Sequence, residues 1–235
     1  VYMLAGMYQE DAKSDQTFEE IRKVFDQEKP EDTKDSENAN EVYINPGLLE
    51  LHEQNPDCVG WIHIEGTKID YPVMYHPEEK NYYLRRNFHK EYDISGTPYI
   101  AEICDLEDFD NLILYGHHMN SGAMFAHLDK YKSESFYQEH KTFTYSTLHG
   151  DETYEVMACF AVPVYTGNDF AYYAFTKAET HFEYETFVET CRKKSYYDTG
   201  VTADYGDQLI TLSTCEYSHK NGRKVVVGRL LREDD

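Results

Sequence analysis

The sequence predicts a mainly β fold with a few helices, its eight or so short strands closed as a barrel or layered as a sandwich. Twenty-two Tyr and twelve Phe beside a single Trp are flat side chains that pack well on pleated surfaces. Short apolar or alternating runs recur along the chain, separated by turn-forming residues. A length of 235 residues suffices to bury one substantial core, so a single β-rich domain accounts for most of the chain.

In chain order, the opening Val1-Tyr2-Met3-Leu4-Ala5-Gly6-Met7-Tyr8 is apolar and stops at Gln9-Glu10-Asp11. It reads either as the end of a longer hydrophobic segment or as the first turns of an ordinary helix. Phe18, Ile21, Val24 and Phe25 follow at helical spacing. Gln27 to Asn40 is dominated by charged and polar residues with too little apolar surface to offset ordering entropy, so it reads as a linker. Residues 1–40 are therefore expected to precede a domain spanning 41–235.

Asn45-Pro46 opens a short helix, with Asn as N-cap and Pro in the first helical position. Val59 to Ile64 and Lys68 to Met74 form a hairpin about Glu65-Gly66-Thr67. Further strands are expected at 97–101, 111–115, 142–145, 153–164, 208–214 and 223–231. One helix interrupts the late strands: Thr176-Lys177-Ala178-Glu179 fits a capping box, and Tyr184, Phe187, Val188 and Cys191 fall on one face. Arg192, Lys193 and Lys194 sit where they favour the negative end of its dipole.

The formal net charge of -22 argues against nucleic acid as a partner, because a polyanion is repelled by such a surface. Five cysteines, without a C-x-x-C pair or a Cys/His spacing suited to zinc, argue against a disulfide framework and leave at least one thiol unpaired within a monomer. No H-E-x-x-H, Walker loop, G-x-G-x-x-G or G-x-S-x-G is present. No metal site is indicated.

Chemistry concentrates at two strand ends. Gln208 to Cys215 alternates as a strand, and Arg223 opens the next one, Val225-Val226-Val227. Antiparallel pairing would set Cys215 and Arg223 at the same end, where a permanent cation favours thiolate over thiol. A buried cysteine at a strand end and an arginine decorating a loop fit the same pattern. The second candidate is Asn111-Leu112-Ile113-Leu114-Tyr115-Gly116-His117-His118, an apolar run that presents two histidines after a glycine. A histidine there could act as acid and base beside a cysteine, although position alone does not select one of eleven histidines.

Taken together these residues resemble the sortases, and within them class B. The resemblance is carried by Gly60-Trp61-Ile62-His63-Ile64 with Gly66-Thr67-Lys68-Ile69-Asp70-Tyr71-Pro72-Val73. It continues through Tyr82-Tyr83-Leu84 with Asn87-Phe88, Leu114-Tyr115-Gly116-His117-His118-Met119, Met124-Phe125 and Phe136-Tyr137. Thr211-Leu212-Ser213-Thr214-Cys215 and Arg223 with Val225-Val226-Val227 complete it. The resemblance implies an eight-stranded sortase-type β-barrel with N-terminal helices and one long helix before the Cys strand. It implies a cysteine transpeptidase in which Cys215 is nucleophile, His117 acid and base, and Arg223 the cation steadying the reacting carbonyl.

Tyr115, Ser213 and Thr214, which flank those groups, are implied to contact substrate, and so are Leu84 and Glu216. Whether Lys80 or Asn81 does so depends on register. No cofactor is implied. The implied partners are surface proteins bearing a C-terminal sorting signal and an amine acceptor, either a peptidoglycan precursor or a pilin lysine. A plain Cys-His hydrolase is the alternative of another class. The resemblance also leads residues 1–40 to be read as a membrane-anchor remnant and stalk, holding the catalytic domain outside a Gram-positive cell.

Overall fold

Eight strands among the described residues close into a barrel: β1 (Cys58–His63), β2 (Asp70–Met74), β3 (Tyr99–Ile100), β4 (Asn111–Tyr115), β5 (Thr142–Thr147), β6 (Gly150–Pro163), β7 (Leu209–Glu216) and β8 (Gly222–Leu230). The structure is a computed structural model that describes residues 2–26, 45–163, 170–216 and 222–232, with side chains described for 13–26, 45–163, 170–214 and 222–232. The strand order is β1-β2-β3-β4-β7-β8-β6-β5, and β1 pairs with β5 to close the ring. The β2–β3 and β4–β7 pairs are parallel and the others antiparallel. Closure leaves no long unpaired edge.

Both expected antiparallel pairs form, β1 with β2 and β7 with β8. The period of two then sorts the side chains of the late strands. Ile210, Leu212 and Val226 belong to the main core, whereas the alternate residues Leu209, Val225 and Val227 belong to a second cluster. The second cluster is roofed by α4 (His181–Lys194) through Tyr184, Phe187, Val188 and Cys191.

The start of α4 differs from the sequence reading. Its N-cap is Thr180, whose hydroxyl accepts from Glu183 N, so the operative capping pair lies four residues after Thr176. Tertiary bonds hold the earlier segment out of the helix. Thr176 O accepts from Asp110 N and Asn111 N, and Asp110 Oδ2 accepts from Ala178 N at 2.8 Å. The expected strand at 97–101 narrows to Tyr99–Ile100, while β6 begins at Gly150 instead of Thr153.

At the N-terminus, α1 (Tyr2–Asp26) lies on the barrel, with Phe18, Ile21 and Phe25 in the main core. Phe25 stacks on Trp61 with centroids 4.3 Å apart. α2 (Pro46–Gln54) is capped by Asn45, whose side chain accepts from Leu48 N at 3.0 Å. A Cβ on Gly47 would fall 2.5 Å from Phe25 O, so glycine permits this close approach of the two helices.

The expected membrane placement through an N-terminal anchor is corrected by these observations. Residues 2–26 form one helix that carries Glu10, Asp11, Lys13 and Asp15 and buries its apolar stripe on the barrel. Among the described residues no helix is long and apolar enough to cross a membrane. The linker expected at 27–40 lies outside the described residues.

Candidate active site

A cavity of about 350 Å³ opens at the end of the barrel where β4 and β7 finish and β8 begins. Tyr115, Gly116 and His117 reach it from β4, Ser213 and Thr214 from β7, and Arg223 from β8. Leu84, on the 3-10 turn Tyr82–Arg85, faces it from another side.

Strand register explains the convergence. β4 and β7 run parallel with Tyr115 opposite Ser213, and Gly116 N donates to Ser213 O at 3.1 Å. His117 and Cys215 each lie two residues beyond that pair, so two neighbouring strands deliver them at the same level. β8 runs the other way, with Arg223 opposite Cys215 in register. Gly116 is small for a packing reason as well, since a Cβ there would meet the Phe125 ring at 2.6 Å.

His117 Nε2 lies 2.7 Å from the Leu84 carbonyl. A carbonyl only accepts, so Nε2 carries the hydrogen and Nδ1 is the nitrogen that gains or loses a proton as the ring titrates. Burial pushes the imidazole below its ordinary value, and Arg85 acts in the same direction. The bond to Leu84 and the charge of Asp93 oppose that shift.

Ser213 is fully buried, and its hydroxyl meets Tyr172 Oη at 2.7 Å. Thr214 Oγ1 is buried with no hydrogen-bond partner among the described residues, although Thr214 borders the cavity. Arg223 is half-buried and donates from Nη1 to Gly222 O at 3.0 Å. The side chains of Cys215 and Glu216 lie outside the described ones; their backbone ends β7, with Glu216 opposite Gly222.

The other four cysteines are buried. Burial pushes the thiols of Cys58 and Cys159 up to about 12 and that of Cys104 up to about 11, and raises Cys191 as well. Such thiols are poor nucleophiles at neutral pH.

Several cavity residues escaped the sequence reading. Tyr172, Tyr173 and Ala174 form a 3-10 turn that walls one side. Two aromatics in an aperiodic stretch before α4 were the only sequence signal for it. Lys80 and Asn81 both border the cavity. Asn81 Oδ1 accepts from Tyr99 Oη at 2.8 Å, and Lys80 Nζ lies 3.7 Å from Glu102.

The sortase domain family matches residues 62–231, a span running from β1 through β8. The chain belongs to the sortases, class B. Sortase B of Listeria monocytogenes is 35% identical over 212 residues, covering 88% of this chain and 84% of that protein. A structure of sortase B from B. anthracis superposes with a TM-score of 0.80 at 30% identity, over 96% of this chain and 100% of the other. A Staphylococcus aureus sortase B–substrate complex gives a TM-score of 0.81 at 27% identity, over 96% and 99% of the two chains. This sortase is accordingly a cysteine transpeptidase.

Proposed function

We propose that this sortase cleaves a C-terminal sorting signal of a surface protein and transfers the acyl group to an amine of a peptidoglycan precursor, with Cys215 as nucleophile. The thiolate sulfur attacks the scissile carbonyl carbon, the C–N bond breaks, and His117 as imidazolium gives its proton to the departing amine. A thioester remains. The acceptor amine then attacks the thioester, His117 takes its proton, and the thiolate leaves. Arg223 binds the substrate backbone or the developing oxyanion, where a fixed cation is most effective.

The observation that carries this reading is the β4–β7–β8 register, which brings the backbones of His117, Cys215 and Arg223 to one barrel end. Leu84, Tyr115, Ser213 and Thr214 border the cavity there and contact the sorting signal in this reading, with Glu216 beside them at the β7 end. The Thr214 hydroxyl, which has no hydrogen-bond partner among the described residues, is suited to a polar group of the peptide.

Incubating the enzyme with a library of sorting-signal peptides and candidate amines, followed by mass spectrometry, tests the proposal. A thioester on Cys215 and an amide to the cell-wall amine are the expected products. Transfer only to a pilin lysine would replace the acceptor, and transfer only to water would make the enzyme a hydrolase. Parental cleavage by Cys215→Ala would overturn the nucleophile assignment. Replacing His118 should leave much more activity than replacing His117.

A further inference from the structure

We infer that Gly96 is a positioning residue for His117, acting through the backbone carbonyl of Leu84; this rests on the reading of His117 as the proton-transfer group. The Leu84 oxygen accepts from His117 Nε2 at 2.7 Å. It therefore keeps the hydrogen on Nε2, assigns proton transfer to Nδ1 and sets the plane of the ring. The position of one backbone oxygen becomes part of the chemistry.

That oxygen belongs to a single 3-10 turn, Tyr82–Arg85, whose N-cap Asn81 makes no side-chain capping bond. The turn is braced from outside by residues 93–97. Asp93 N donates to Arg85 O at 3.0 Å, Thr97 N donates to Tyr83 O at 3.1 Å, and Arg85 Nη1 donates to Ile94 O at 3.1 Å. Gly96 sits at the closest approach. With φ of 60°, a Cβ there would lie 2.5 Å from Leu84 O, 2.6 Å from Tyr83 O and 2.9 Å from Leu84 C. Carbon–oxygen contacts normally stop near about 3.3 Å, and these are backbone atoms that cannot swing aside. Any side chain at 96 displaces the oxygen that His117 uses.

Gly200 supplies the control. Its φ of 78° imposes the same preference for glycine, yet a Cβ there would meet nothing within 4 Å. Gly200→Ala thus carries backbone strain without contact, whereas Gly96→Ala carries both.

The test is long-range proton–nitrogen NMR of histidine-labelled enzyme, read with the rate of thioester formation on a peptide taken from the library experiment. Parental enzyme is expected to show the Nε2–H tautomer at His117. Gly96→Ala should mix the tautomers, move the His117 titration and slow acylation by about 10- to 100-fold, the size expected of a small misplacement of a reacting group. Gly200→Ala should leave the His117 signals and the rate at parental values. An Nδ1–H tautomer in the parent, or an unmoved His117 signal in Gly96→Ala, overturns the inference. If Gly96→Ala does not fold, Thr97→Val decides. It loses the bond from Thr97 Oγ1 to Arg86 O and should move the same titration by less; no movement overturns the inference. Parental turnover by His117→Ala would instead refute the reading of His117 and leave the tautomer result standing.

Discussion

Removing the carboxylate of Asp70 should loosen α1 from the barrel. Asp70 Oδ1 accepts from Trp61 Nε1 at 2.7 Å and lies 3.1 Å from His63 Nδ1. Its Oδ2 lies 2.6 Å from Arg22 Nε, and its backbone oxygen accepts from Arg22 Nη2 at 2.8 Å. Asp70→Ala strands the indole N–H of Trp61, a loss of about 1–3 kcal/mol for a buried donor. The ion pair adds little, because 32% of the Arg22 side chain and 24% of the Asp70 side chain remain exposed; screening limits it to about 0.5–1 kcal/mol. Together these give about 1.5–4 kcal/mol for Asp70→Ala. Asp70→Asn, which keeps an oxygen for Trp61, should cost about 1 kcal/mol.

The assay is built into the chain, since its single Trp is the residue stacked beneath Phe25. Red-shifted emission and a lower urea midpoint are expected for Asp70→Ala, and a cycle with Arg22→Met should show coupling of about 1 kcal/mol. Burial is the largest influence on the Asp70 carboxyl and raises it, but the bonds from His63 and Trp61 and the charge of Arg22 together hold it below 3.8. Its stabilisation is therefore present above about 3.8 and lost as pH falls through the lower folded value. Unchanged emission and midpoint in Asp70→Ala would refute the reasoning.

Two further outcomes are expected. By NMR titration, His117 should lose its proton at a pH below the ordinary 6.5, with Arg85→Gln raising that point and Asp93→Asn lowering it. Its contribution to stability is present above 6.5 and is lost as pH falls through the depressed folded value, and a titration above 6.5 would contradict the burial argument. Tyr172→Phe removes the bond to the Ser213 hydroxyl and should destabilise by about 1 kcal/mol in urea, with peptide KM rising more than kcat falls. Unchanged stability and KM would show that the Tyr172 wall does not depend on this bond.

The parts legible in the sequence are those with a local period. Alternation along residues 208–215 and the apolar run after Arg223 fixed the β7–β8 pairing, and with it the facing of Cys215 and Arg223. His117 could not be chosen this way, because what selects it is its parallel neighbour β7 and the Leu84 carbonyl, both distant in sequence. Two T-x-x-E patterns stood before α4, and only contacts with residues 110–111 decided between them. Lys224 is a further case: it sits fully buried next to the Val225-Val226-Val227 run of β8, its ammonium over the Tyr196 ring and 3.7 Å from Asp129. Strand patterning carries no trace of those partners.

The parallel pairing of β4 with β7 joins residue 111 to residue 209, and the two strands between them in sequence, β5 and β6, take places elsewhere in the barrel order. Contacts between such separated residues form late, after the entropy of closing the intervening chain has been met. A polypeptide still being made therefore carries His117 long before it has a strand to bring Cys215 alongside it. In the proposed reading, the histidine and cysteine come together only once β7 has joined β4.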